Sequence, residues 1–131
     1  MSQPDGGVRI DLPFAAGANL QEKYVDVSCR TAPPVCESTY AQGHDPASLD
    51  PHVEVINGIG YLVQRAGEGA AGNFYDWIAY SAANGAACAS LTFILHSTNA
   101  QNYTPPLPEF DRAAETAVFA DMMATFAWSA P

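Results

Sequence analysis

Two histidines and two aspartates fall within the nine residues 44–52, and they are His44, Asp45, Asp50 and His52. Imidazole nitrogens and carboxylate oxygens can bind a transition metal, and carboxylates also suit calcium. The spacing matches neither an EF-hand loop nor an HExxH zinc motif. Because Asp-Pro pairs mark turns, we favour a polar, turn-rich surface loop here. We therefore assign no metal and no cofactor to it.

A second place for chemistry lies around His96, Ser97 and Asp76. A histidine, a serine and an acid are the components of a Ser-His-Asp hydrolase. No GxSxG nucleophile elbow is present, and adjacent residues of a strand point to opposite faces. His96 and Asp76 are therefore catalytic candidates. We favour the alternative, in which His96 is a hydrogen-bonded structural histidine and Asp76 faces solvent.

Aromatic side chains are numerous near the centre of the chain. Tyr75, Trp77, Tyr80 and Tyr103 could form a ligand platform like those of sugar-binding modules. Packing in the core and at sheet edges is the alternative explanation for aromatic residues in strands. We keep these four as candidate binding residues.

The charge balance excludes some classes of partner. The chain of 131 residues has a net charge of −9 and only five basic residues, which are scattered. Nucleic acids and anionic membrane surfaces are therefore not expected partners. No apolar run is long enough to span a bilayer. We expect residues 1–7 to be a disordered or appended leader without a signal peptide or lipid anchor, and residues 8–131 to form one globular domain.

The element that organises the chain is a hairpin over residues 73–96. Two aromatic and β-branched segments flank Asn84-Gly85, which is a strong hairpin signal. In the second segment the residues from Ala87 to Leu95 alternate, so that Ala89, Leu91 and Phe93 share one apolar face, which we expect to pack against a core. Further strands are predicted over 8–12, 23–30, 52–56 and 59–65, with a second hairpin turn at Asn57-Gly58 between the last two. Residues 31–51 are irregular, and the glycine-rich residues 66–72 are predicted to be a flexible connection.

The only strong helix pattern follows the hairpin, over residues 110–126. Its apolar stripe would be formed by Ala114, Ala117, Val118, Met122 and Phe126. We expect this stripe to cover the apolar face of the hairpin, with Trp128 closing one edge of the core. About six antiparallel strands followed by one helix indicate an α+β fold.

Several motifs resemble a family of uncharacterised bacterial exported proteins, many of them lipoproteins. They are GANLQEKYVDV (17–27), GNFYDWIAYS (72–81), CASLTFILHSTN (88–99), PPLPEFD (105–111), ETAVF (115–119) and MATF (123–126). The closing helix that ends in Thr-Phe also resembles PsbP-like and Mog1-like domains. The second resemblance implies an α/β sandwich with an antiparallel sheet covered by the helix. Neither resemblance implies a known catalytic residue for this chain.

The resemblance to the exported family also implies a disulfide and a location. Members of that family typically carry a cysteine in each of the places of Cys36 and Cys88, which implies a bond between these two. Cys29 would then be the leftover thiol, and its alternation with Val25 and Val27 places it inward. An extracytoplasmic location follows from the same resemblance.

The resemblance and the absence of a catalytic motif together predict a function. We expect a non-catalytic binding or interaction domain of the bacterial cell envelope, whose partner is either a small molecule or an envelope protein. The alternative is a small hydrolase that uses His96, or the loop with His44 and His52, together with nearby carboxylates, either with or without a metal ion.

Overall fold

The fold is a six-stranded antiparallel sheet with one helix packed on it. A computed structural model describes residues 7–127. The strands follow the order β1-β2-β6-β5-β4-β3 across the sheet, and the prediction of an α+β fold is confirmed. The elements are β1 (Gly7–Asp11), β2 (Leu20–Thr31), β3 (His52–Ile56), β4 (Ile59–Ala70), β5 (Asn73–Asn84), β6 (Ala87–Thr98) and α1 (Arg112–Met123), with short 3-10 turns at Thr39–Ala41, Pro46–Leu49 and Ala100–Asn102.

Two-residue turns set the register of the central strands. The predicted hairpin forms between β5 and β6, where Asn84 pairs with Ala87. The predicted Asn57-Gly58 turn joins β3 to β4, and both of its residues have positive φ. The prediction of a flexible connection over residues 66–72 is wrong, because residues 66–70 continue β4 and pair with β5. Backbone hydrogen bonding to a neighbouring strand outweighs the low strand propensity of glycine there.

One face of the sheet packs against α1. As predicted, Leu91, Phe93 and Leu95 of β6 lie in this core, and the Phe119 ring stacks on Phe93 with centroids 4.4 Å apart. Tyr61 is also fully buried here. The helix thus covers the apolar face of the central hairpin.

The predicted stripe of the helix is out of phase with the buried face. Glu115, Phe119 and Met123 are the buried positions of α1, whereas Val118 is 41% exposed. The physical reason is Glu115, which interrupts the apolar pattern and is buried because its carboxylate contacts the ammonium of Lys23 at 2.9 Å. A polar residue on the buried face conceals the true stripe from a hydrophobicity count.

The opposite face of the sheet is covered by the irregular segment 32–51. A disulfide joins Cys36 of this segment to Cys88 of β6, as the resemblance implied. Leu49 packs with Trp77 and Ile94 beneath it. Cys29 is a free thiol and is partly rather than fully buried. Trp128 lies outside the described residues, and within those residues no helix is long and apolar enough to cross a membrane.

Candidate functional site

A cleft opens where the first turns of α1 lie over the sheet. It consists of two adjoining recesses, with volumes of about 260 Å³ and 370 Å³. Ligand pockets usually measure roughly 300–1,000 Å³, so the cleft is large enough for a small molecule. Side chains of the first recess include the apolar Ile78, Phe93, Leu95 and Phe119, and the polar Arg65, Asp76, Arg112 and Thr116.

An ion pair stands at the junction of the two recesses. Asp76 of β5 and Arg112 of α1 line both of them, and their side chains meet at 2.5 Å. The guanidinium of Arg112 also lies 4.9 Å from the centre of the Phe110 ring. Both charged side chains are more than a third exposed, so the pair is a surface contact that can exchange partners at low cost.

The glycine-rich end of β4 makes room for Asp76. Gly67 pairs with Asp76 in the register of β4 and β5. A Cβ atom on Gly67 would lie 2.7 Å from Oδ1 of Asp76, closer than atoms can approach. The absence of a side chain at residue 67 therefore lets the carboxylate reach the mouth of the cleft.

Asn19 fixes the segment that leads into α1. Its Nδ2 donates hydrogen bonds to the carbonyl oxygen of Thr98 at 2.8 Å and to Oε2 of Glu109 at 3.1 Å. Its Oδ1 accepts a hydrogen bond from the backbone N–H of Phe110 at 2.8 Å. A buried amide with its hydrogen bonds made holds a single geometry, and here it fixes Phe110, two residues before Arg112.

A buried ion pair holds the helix on the sheet below the cleft. Nζ of Lys23 lies 2.9 Å from Oε1 of Glu115, and the backbone N–H of Ala15 donates to the second carboxylate oxygen at 3.2 Å. Sequence reasoning missed Lys23, Glu115 and Asn19. A signal existed for Lys23, because it shares the strand face of the inward Val25.

A separate polar cluster surrounds His96 on the loop-covered face of the sheet. Its Nδ1 lies 2.6 Å from Oε1 of Glu22, and its Nε2 lies 2.8 Å from Oδ1 of Asn73. The Tyr75 ring stacks on the imidazole at 4.3 Å. Hydrogen bonds from Arg9 first and His96 second lower the pKa of Glu22. Both nitrogens of His96 are therefore engaged by neighbours, none of which is a hydroxyl.

The structure separates the predicted catalytic residues. Asp76 pairs with Leu95, whereas His96 pairs with Tyr75, so Asp76 and His96 point to opposite faces of the sheet. Ser97 is buried and faces away from His96, as expected for adjacent strand residues. A catalytic group that combines Asp76 or Ser97 with His96 cannot form in this fold. Asp76 instead lines the cleft.

The four metal-ligand candidates are dispersed along their loop. His44 contacts Glu68 at 2.9 Å, and His52 lies 3.5 Å from Glu54. Asp45 accepts a hydrogen bond from the backbone N–H of Ala47 at the start of a 3-10 turn, and Asp50 lies 3.8 Å from Arg65. Within residues 7–127 no three His, Cys, Asp or Glu side chains are grouped so that they could hold a metal ion.

The four aromatic candidates do not share one surface. Tyr75 is 38% exposed beside His96, and Tyr103 is 36% exposed with its hydroxyl 3.0 Å from that of Thr98. Trp77 is buried against Tyr40 under the irregular segment. Tyr80 is a correction to the predicted platform, because it is buried on the opposite face, against the Tyr61 ring. Strand alternation forbids Tyr75 and Tyr80 from facing one ligand.

Comparisons with known proteins add no relative. The chain matches no family model, no curated protein and no solved structure.

Proposed function

We propose that this chain is a non-catalytic binding domain of the bacterial cell envelope, and that it binds a small molecule in the cleft beneath α1. The observation that carries the proposal is the composition of the cleft. Phe93 and Phe119 line it with buried rings, while Asp76 and Arg112 bring charge to its mouth. An apolar concavity with a few convergent polar groups is the usual form of a small-molecule site.

The arrangement of the polar groups supports binding rather than catalysis. The sheet contains two histidines: His96 is on the opposite face from the cleft, and His52 of the edge strand β3 lines neither recess. The first recess offers Thr116 as its hydroxyl, and that hydroxyl donates to the carbonyl oxygen of Arg112 at 2.6 Å. A nucleophile needs an adjacent base for activation, and no base contacts Thr116 in the described residues.

The disulfide supports the proposed location. Structural disulfides form and persist in oxidising compartments such as the bacterial periplasm and the cell exterior. The Cys36–Cys88 bond ties the irregular segment 32–51 to β6. An envelope location would give this bond the environment in which it forms.

A neutral apolar probe tests the site directly. Octanol is titrated into isotope-labelled protein, and the amide resonances of Ile78, Phe93 and Phe119 are followed by NMR. We expect saturable shifts at these residues. Thr116→Trp should abolish them, because Thr116 lines the first recess and an indole would fill it. Val118→Trp is the matched control, since Val118 is exposed and does not line the cleft.

Two outcomes would contradict the proposal. One is that neither octanol nor its carboxylate and amine analogues moves any cleft resonance. The other is that Thr116→Trp and Val118→Trp leave binding equally intact, which would place the ligand outside the cleft.

A further inference from the structure

We infer that the ligand of the cleft is an apolar anion whose carboxylate binds Arg65, while Asp76 pairs with Arg112 and limits its contact with the ligand. This inference rests on the proposed function and adds the chemical class of the ligand. The first recess receives two of the five basic residues of a chain whose net charge is −9. Basic groups that are rare in the chain as a whole are therefore concentrated at one apolar recess.

The two recesses differ in their charge. The ionisable side chains of the first are Arg65, Asp76 and Arg112, which leave it with a net positive charge. The second replaces Arg65 with Glu109 and is net negative. An anion is therefore favoured in the first recess, where the apolar side chains also lie.

Arg65 is the basic residue with spare hydrogen-bonding capacity. The atoms that join it to Asp50 are 3.8 Å apart, and the two side chains are 52% and 76% exposed. Such a pair contributes little, whereas a guanidinium can bind a carboxylate through two parallel hydrogen bonds. Arg65 precedes Ala66 on β4 and pairs with Ile78 of β5, so its stem lies beside the apolar part of the recess.

Arg112 is neutralised by Asp76 at 2.5 Å. Asp76 therefore competes with an incoming carboxylate for Arg112 and sets the affinity of the site. The rest of the ligand would contact Phe93, Leu95 and Phe119. Either an aliphatic or an aromatic carboxylate satisfies this chemistry.

A matched octyl series tests the inference. Octanoate, octanol and octylamine share one chain and differ in charge, and their dissociation constants are measured by calorimetry or NMR titration. We expect octanoate to bind most tightly and octylamine most weakly. Only the octanoate constant should weaken as salt is added, because salt screens exposed charges. Naphthoate in the same assay distinguishes an aromatic from an aliphatic source.

Charge-neutralising variants identify the residues. Arg65→Gln should weaken octanoate binding about tenfold and leave octanol unchanged, whereas Arg65→Lys should retain part of the affinity. Asp76→Asn should tighten octanoate binding by about threefold to tenfold, because Arg112 is released. A gain of affinity cannot result from a merely damaged fold.

The outcomes separate the inference from the proposed function. Equal binding of all three octyl probes, or tighter binding of octylamine, would overturn the inference and leave a cleft that binds small molecules. An unchanged octanoate constant in Arg65→Gln would overturn the role of Arg65. Failure of every probe would overturn the proposed function as well.

Discussion

The helix-covered and loop-covered faces of the sheet use the same strands, but their covers contribute different side chains. On the helix side, Phe119 and Met123 of α1 are fully buried against the sheet. On the loop side, the segment 32–51 contributes only Ala41 and Leu49 to the buried apolar core, and its Val35 is 58% exposed. A cover with so few apolar side chains gains little from hydrophobic burial.

Covalent and polar contacts replace apolar burial on the loop side. Cys36 of the segment is bonded to Cys88, and the hydroxyls of Ser38 and Thr92 meet at 2.7 Å in a buried position. Arg30 donates to the carbonyl oxygen of Glu37. An irregular segment can therefore cover a sheet when a few specific bonds fix it, and we expect the two faces to respond differently to mutation.

The largest expected effect is on the helix-covered face. Phe119→Ala should lower the free energy of unfolding. Truncation of a buried phenylalanine costs about 3–5 kcal/mol, and we expect a loss in the upper part of that range. Phe119 is 1% exposed and stacks on Phe93. Chemical denaturation measures the change. Val118→Ala, on the exposed side of the same helix, should change stability by less than about 0.5 kcal/mol, and equal losses in the two variants would contradict the phase of α1.

The second-largest effect is expected when the covalent bond of the loop-covered face is removed. Replacing Cys36 and Cys88 together with alanine should cost about 4 kcal/mol, since the bond closes a loop with a sequence separation of 52. Thiol titration of denatured, unreduced protein should detect one thiol, that of Cys29. Detection of three thiols in protein purified under oxidising conditions would contradict the bond.

Much of the fold was predictable because it depends on local patterns. Alternation in β6 identified both faces of the sheet, and the Asn-Gly pairs at Asn57 and Asn84 located two turns. The continuation of β4 through Gly67 was not predictable from propensity. That strand depends on pairing with β5 and on the side chain of Asp76, which occupies the space that the glycine leaves.

The cleft was beyond prediction because its residues are distant in sequence. Arg65, Asp76 and Arg112 come from β4, β5 and α1, and no motif connects them. Asp76, a predicted catalytic candidate, lines the cleft, and His96 does not. The candidates in the loop 44–52 clustered in sequence only, since each side chain there contacts a different partner.

The third effect concerns the buried ion pair of the helix-covered face. Lys23→Met should cost about 3 kcal/mol, because it leaves the Glu115 carboxylate buried without its partner. Combining it with Glu115→Leu should recover most of the loss, since a buried pair can often be replaced by apolar residues. Denaturation of the two single variants and the double variant measures the coupling. Additive losses would contradict a direct interaction between Lys23 and Glu115.

The smallest expected effect on stability comes from Glu22, which lies at the open end of the loop-covered face, beyond the disulfide. The side chain of Glu22 accepts hydrogen bonds from Arg9 and from the His96 ring, which lower its pKa from the ordinary value of 4.5. A carboxyl group whose pKa is lowered by folding stabilises the folded state above its unfolded pKa. That contribution is lost as the pH falls through the lower, folded value. Since Glu22 is 39% exposed, solvent screening limits the effect to less than about 1 kcal/mol.

The corresponding measurement compares wild-type protein with Glu22→Gln across pH. At pH 6 the variant should be slightly less stable, and the difference should shrink as the pH falls below about 4.5. Asp121→Asn is the matched control, because it also removes one carboxylate, from an exposed position of α1. A difference that grows on acidification would mean that the Arg9 and His96 contacts do not favour the charged form of Glu22. The charge of Glu22 would then not contribute to the stability of this face.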